Sequence, residues 1–315
     1  MEQRLLGHTG LAVSRLALGT WTWGEGTDAD DAAGQLRAFL GAGGTLVDTA
    51  DVYACGESER ILGRLLRDLP RDDVIVATKA AGLPDSPGRQ VNASRRHLLT
   101  ALEESLRRLG LDHVDLWQLH AWDDDTPLEE SMAALDTAVA SGRTRYVGIS
   151  NYAGWQTAAA ATWQRAWPGR STLASAQNEY SLLSRAVEAE VMPAAAAAGL
   201  GVLAWSPLGR GVLTGKYRGG MPADSRGASP GRASFIAPYL DERSARIVDA
   251  VVTAAGGLGV STAAVALAWV RDRPGVVAPI IGARTLAQLT GSLESERLTL
   301  PEQIRAALDD VSAAR

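Results

Sequence analysis

The chain has 315 residues, 46% of them hydrophobic and 21% charged, with a formal net charge of −5 and a pI near 5.5. That acidic balance excludes nucleic acid as the main partner, because phosphate binding needs a basic surface. A local basic pocket for a small anion stays open. Cys55 is the only cysteine, so no intramolecular disulfide forms. No apolar leader follows Met1, and no run of ~18 apolar residues escapes charges or breakers; the expectation is a cytoplasmic protein with no membrane partner.

In chain order, a hairpin is expected over 4–13. Eight β-like runs follow, over 16–19, 45–48, 74–78, 114–119, 146–149, 175–178, 201–205 and 277–281. The run at 175–178 is poor in β-branched residues and is placed by rhythm. Helical patterns fill the gaps. Leu98, Leu102, Leu106 and Leu109 recur at helical spacing. Thr126-Pro127-Leu128-Glu129 reads as a capping box for a helix to about Ala140. Asn92-Ala93-Ser94 reads as a helix cap rather than a glycosylation site, and Asp123-Asp124-Asp125 as a solvated loop. Gly43-Gly44, Gly110 and Gly142 stop helices where the next strand begins. Repeated β-then-α units imply parallel strands with right-handed crossovers. Eight of them close into a barrel, with an open doubly wound sheet as the rival. The fold expected is α/β: one (β/α)₈ barrel domain over 1–315, with an N-terminal hairpin and a long functional loop over 206–238, after the seventh strand.

Parallel strands point their C-terminal ends at one mouth. Asp48, Lys79 and His120 end the second, third and fourth runs, and Tyr53 follows Asp48. Ser150 and Asn151 end the fifth, and Gln177 lies near the end of the sixth. Ionisable residues at such positions are costly without partners. A lysine near a tyrosine favours phenolate and lowers the phenol pKa, an aspartate holds the lysine, and a histidine can donate to a carbonyl oxygen. The set suits carbonyl reduction, with tyrosine protonating oxygen. His8, His97 and His113 show no metal-ligand spacing, and no metal is expected.

Taken in order, Asp48-Thr49-Ala50-Asp51-Val52-Tyr53, Thr78-Lys79, Leu119-His120, Gly148-Ile149-Ser150-Asn151, Gln177-Asn178-Glu179-Tyr180, Trp205-Ser206-Pro207-Leu208-Gly209 and Ile280-Ile281-Gly282-Ala283-Arg284 resemble the motif series of aldo-keto reductases. The resemblance runs from Gly19 to about Leu293 and implies a barrel that binds NADP(H) without a Rossmann domain. It implies a catalytic tetrad of Asp48, Tyr53, Lys79 and His120. Ser150, Asn151 and Gln177 would hold the nicotinamide carboxamide, Trp205 would stack on its ring, and Ser206, Pro207, Leu208 and Gly209 would follow the pyrophosphate. Lys216 and Arg226 would lie near the phosphates, and Gly19, Thr20, Trp21, Gly211, Gly282, Arg284 and Gln288 complete the expected cofactor contacts. Arg284, with no acidic neighbour in 282–285, suits the extra phosphate of NADP(H). Trp21, Trp23 and Trp122 are expected to line an apolar substrate pocket; Trp163, Trp167 and Trp269 are expected in the core.

Two departures stand out. Gln288-Leu289 is followed by Gly291-Ser292 where the family often has an acidic-amide pair, which predicts a weaker grip on adenosine. Ala54-Cys55 follows Tyr53 where relatives often have glycine. Within the family, the 205–226 region looks most like the branch that contains potassium-channel β subunits. Two functions therefore stand side by side: an NADP(H)-dependent reductase acting on a small aldehyde or ketone, and an NADP(H)-binding redox sensor with little turnover. Homo-oligomer formation stays open.

Overall fold

The computed structural model describes residues 1–83, 90–223, 225–229 and 233–313, with Arg226 described by its backbone alone. Two short strands, β1 (Gln3–Leu5) and β2 (Ala12–Ser14), pair as an antiparallel hairpin. Eight parallel strands then close a barrel: β3 (Ala17–Gly19), β4 (Leu46–Asp48), β5 (Ile75–Ala80), β6 (Val114–Leu119), β7 (Thr144–Ser150), β8 (Leu173–Glu179), β9 (Gly201–Trp205) and β10 (Val276–Gly282). Closure is made by β10 against β3, Ile281 opposite Leu18. The open-sheet alternative is thereby excluded, and all eight expected runs are strands.

Helices α1 (Ala29–Gly41), α2 (Glu57–Leu66), α3 (Arg95–Leu109), α4 (Leu128–Ala140), α5 (Gly154–Arg165) and α6 (Val191–Ala197) make successive crossovers from β3 to β9. The long connection after β9 holds the single α-helical turn α7 (Ala233–Ile236) and 3₁₀ turns at Gly209–Thr214, Arg226–Ala228 and Ala237–Tyr239 before α8 (Glu242–Leu258) and α9 (Thr262–Arg271). Helices α10 (Leu286–Leu293) and α11 (Glu302–Ser312) follow β10. Leu98, Leu102, Leu106 and Leu109 are all buried on one face of α3, as their spacing requires. Ser94 caps that helix by accepting from the His97 amide. Among the described residues no single helix is long and apolar enough to cross a membrane.

Period-two alternation divides each barrel strand between two environments. Val47, Val76, Trp117, Val147 and Val202 join the helix-facing core. Leu46, Ala77, Leu116, Leu203 and Ala278 join a second cluster inside the barrel, closed from below by Leu6 and Val13 of the hairpin. Gly7 lets the hairpin seat there: at φ +60°, its missing Cβ would meet the Gly199 carbonyl oxygen at 2.5 Å.

Three local expectations are corrected. Thr126 does not cap α4: its hydroxyl donates to Asp123 Oδ2 at 2.6 Å, and the helix begins after Pro127 without a side-chain cap. Pro127 is extended (φ −54°, ψ 134°) and occupies the cap position itself, so the first helical residue is Leu128, one residue later than a Thr126 cap requires. Asp123 is accordingly not a solvated loop residue but is buried, also accepting from the Ala93 amide. Trp163 and Trp167 are 37% and 70% exposed, whereas Trp269 is in the core. Trp167 lies beyond the end of α5, so the helical period assigned to it has no helix to act on.

Candidate active site

The alternation that fills the barrel floor also selects the mouth. Two residues beyond Leu46 comes Asp48, beyond Ala77 comes Lys79, and beyond Leu203 comes Trp205. Lys79 is fully buried. Its Nζ donates to Asp48 Oδ2 at 2.6 Å, to the Thr49 carbonyl at 2.8 Å and to the Tyr53 hydroxyl at 3.3 Å. Gln177 Nε2 donates to the other Asp48 oxygen at 2.9 Å. Both carboxylate oxygens and all three ammonium protons thus have partners, which is the condition under which a buried ion pair is tolerated. Tyr53 sits in a turn where Ala54 (φ +47°) and Cys55 (φ +52°) are left-handed and lead to Gly56 (φ +83°). Two non-glycine residues in that region carry backbone strain of about 1–3 kcal/mol each. His120 meets the Tyr53 ring edge-on, with centroids 6.0 Å apart.

Burial raises the Tyr53 phenol above its ordinary value; Lys79 opposes the rise, and the Asp48 and Asp51 carboxylates add to it. The net lowering expected from the sequence does not hold, because desolvation outweighs the cation. The consequence is a phenol that keeps its proton at neutral pH. Burial alone would lower the Lys79 ammonium, but Asp48 and Tyr53 more than offset this and raise it. Burial, aided by Lys79, pushes His120 down to about 3, so its ring is neutral. Its Nδ1 is buried without a hydrogen-bond partner in the described structure. An Nε2–H tautomer therefore leaves the donor free for the pocket. Asp51 is raised to about 7, first by burial and then by the Glu59 carboxylate; Arg108 and Lys79 counter it.

These groups open into a pocket of about 580 Å³. Of the residues singled out from the sequence, Gly19, Trp21, Asp48, Tyr53, His120, Ser150, Asn151, Gln177, Trp205, Ser206, Pro207, Leu208, Gly211, Lys216, Gly282, Arg284 and Gln288 line it. Asn151, left-handed at φ +57°, donates to the His120 carbonyl and accepts from Trp205 Nε1, both at 2.9 Å. The loops after β6, β7 and β9 are tied together there. Gln288 Oε1 accepts from the Arg284 amide at 2.9 Å, fixing the start of α10.

Four expected residues lie elsewhere, and one lies outside the described side chains. Thr20 is fully buried, and its hydroxyl donates to the Asp48 carbonyl, so it braces the site from behind. Gly209 is buried below the pocket wall, where an added Cβ would meet Leu183 Cδ1 at 2.7 Å. Trp23 is not a pocket residue: it is fully buried, with Nε1 donating to Gln35. Trp122 packs against Tyr152 and Trp155, its Nε1 donates to Asp124, and it is not among the residues that line the pocket. The side chain of Arg226 lies outside the described residues. Sequence reading missed Arg210 and Phe235, both pocket-lining. Arg210 stands between two expected cofactor contacts, Gly209 and Gly211, and no motif or spacing marks it. Phe235 carries no pattern at all.

Comparison with known proteins agrees with this arrangement. The chain matches the Aldo/keto reductase family over residues 15–313. An uncharacterized oxidoreductase of Bacillus subtilis (strain 168) is 38% identical over 99% of this chain and 96% of its own. A probable voltage-gated potassium channel subunit beta of Oryza sativa subsp. japonica is 38% identical over 94% of this chain and 91% of its own. The L-glyceraldehyde 3-phosphate reductase of Escherichia coli (strain K12) is 34% identical over 98% and 92%.

Proposed function

The chain belongs to the aldo/keto reductase family, and from that premise of oxidoreductase chemistry we propose that it reduces an aldehyde or ketone with NADPH, using Tyr53 as the proton donor. The observation that carries this reading is the Tyr53 hydroxyl held 3.3 Å from Lys79 Nζ, itself bound to Asp48 at 2.6 Å, at the bottom of an open pocket. Bound NADPH supplies the hydride. The donor set fits such a cofactor. Lys216 and Arg284 offer two cations to phosphates, and Gly282 and Gly291 leave open space at the same wall, where an added Cβ would meet nothing within 4 Å.

The protein's own part is proton delivery and orientation. Neutral His120 donates to the carbonyl oxygen and orients it. Tyr53, loaded by burial, transfers its proton to that oxygen, and the Lys79 ammonium stabilises the phenolate left behind. Lys79 is thus more useful after the transfer than before it. Asp48 keeps the ammonium charged and in line. Arg284, partly exposed where β10 gives way to α10, favours the 2′-phosphate of NADPH over the hydroxyl of NADH.

Loss of absorbance at 340 nm with 4-nitrobenzaldehyde and NADPH tests the reading. Sustained turnover is expected. A second reading, a cofactor-binding sensor, is favoured by the similarity to the rice channel subunit. Tight NADPH binding with no turnover across a panel of aldehydes and ketones would establish it and remove the first.

A further inference from the structure

Gly209, Arg210 and Gly211 are three consecutive left-handed residues, at φ +54°, +57° and +96°. Glycine adopts this conformation freely; arginine does so at a cost. The surroundings of the Arg210 side chain explain why it is held there. Its guanidinium grips Glu179, at the end of β8, with two parallel bonds: Nε to Oε1 at 2.8 Å and Nη2 to Oε2 at 2.6 Å. A third nitrogen donates to the carbonyl of Phe235. The guanidinium centre lies 4.0 Å from the Phe235 ring centroid, 5.1 Å from that of Tyr239 and 5.8 Å from that of Trp205. Phe235 in turn stands 5.6 Å from Trp21, its ring tilted by 42°. Trp21 comes from the loop after β3 and Phe235 from the connection after β9, so the two rings approach each other from different loops. All four of Trp21, Trp205, Arg210 and Phe235 face the pocket.

Resting on the reductase reading, we propose that Arg210 and Phe235 determine acceptor specificity: Arg210 fixes Phe235 opposite Trp21 as an aromatic clamp that selects planar aromatic carbonyl compounds over aliphatic ones of similar size. The physical grounds are two. The Arg210 charge is matched by Glu179, so the clamp presents ring faces rather than a net charge. A planar ring gains offset or edge contacts with two aromatic walls that a puckered aliphatic ring of equal area does not. Arg210 acts through Phe235 and is a positioning residue.

The test compares 4-nitrobenzaldehyde with cyclohexanecarbaldehyde in the full-length protein loaded with NADPH. The readouts, each taken as 4-nitrobenzaldehyde over cyclohexanecarbaldehyde, are the ratio of kcat/KM values and, by calorimetry with NADP⁺ in place of NADPH, the ratio of affinities (1/Kd). Phe235→Ala should lower both ratios roughly tenfold, in line with the loss of one aromatic contact. Arg210→Met should lower them in the same direction, and the double variant should lose no more than Phe235→Ala alone. Phe235→Leu, which keeps bulk without the ring, and Glu179→Gln, which breaks the grip from the other side, serve if either first variant folds poorly. Unchanged ratios in Phe235→Ala and Phe235→Leu would overturn the clamp. So would a fall in NADPH affinity with the ratios intact, which would make the roof a cofactor cover. Because the affinity ratio needs no turnover, a wild type that binds both aldehydes but reduces neither would defeat the reductase reading while still deciding the clamp.

Discussion

The floor and the mouth of the barrel are built by the same strands, two residues apart, and they are held by opposite physics. On the floor, Leu46, Ala77, Leu116 and Leu203 pack with Leu6 and Val13 in a wholly apolar cluster. At the mouth, Asp48 and Lys79 are just as buried but are satisfied through each other, Gln177, the Thr49 carbonyl and the Tyr53 hydroxyl. Apolar burial stabilises wherever surface leaves water. A buried ion pair roughly breaks even, and its worth lies in what it positions. The difference predicts that floor substitutions change stability at constant chemistry, while mouth substitutions change chemistry.

The largest effect expected is at the mouth. Tyr53→Phe removes one hydroxyl and should cut carbonyl reduction by about 10²- to 10⁴-fold with NADPH binding retained. Single-turnover rates near wild type would remove Tyr53 as the acid. On the floor, Leu46→Ala should cost about 2–5 kcal/mol of stability. The enzyme that remains folded should keep its kcat; a parallel loss of kcat would erase the distinction between the two ends. Arg284→Ala should weaken NADPH more than NADH, by roughly 10-fold or more, for loss of a charge-assisted phosphate contact. Equal weakening of both cofactors would move the 2′-phosphate elsewhere.

The smallest effect concerns Asp51, behind the Tyr53 turn, with one buried carboxylate oxygen lacking a partner. Its carboxyl ionises near 3.8 when unfolded and near 7 when folded. Folding therefore takes up a proton between those values. The resulting penalty grows as pH rises from about 4 to about 7 and is constant above. Asp51→Asn should raise Tm by a few °C at pH 8 and by less at pH 5. An equal shift at both would show that Asp51 titrates normally.

Much of this molecule is legible in its residues. Most strand runs were readable because both faces of a barrel strand are buried, which leaves short apolar runs, while the run at 175–178 was placed by rhythm; Asp48, Lys79 and His120 stood out as polar residues that end apolar strands. What escaped reading is whatever depends on side chains finding distant partners. Trp23 looks like a pocket residue until Gln35, twelve residues on, takes its indole N–H into the core. The Lys79 effect on Tyr53 was right in sign but overruled by burial, a quantity fixed by the whole barrel. Phe235 became visible only when Arg210 and Trp21 were placed around it.

Closure of the barrel has a consequence for the chain's birth. Ala17 at its start pairs with Ile280 near its end. As the protein emerges from the ribosome, β3 can find β4 early, yet its other edge waits until β10 has been made. Throughout that interval two unpaired strand edges and the apolar outer faces of the strands are presented to other chains, a setting that favours aggregation. Pairings so distant in sequence are also slow to form. Productive folding of this protein should therefore be largely post-translational, and its yield in cells should respond to chaperone supply more than the stability of the finished barrel would suggest.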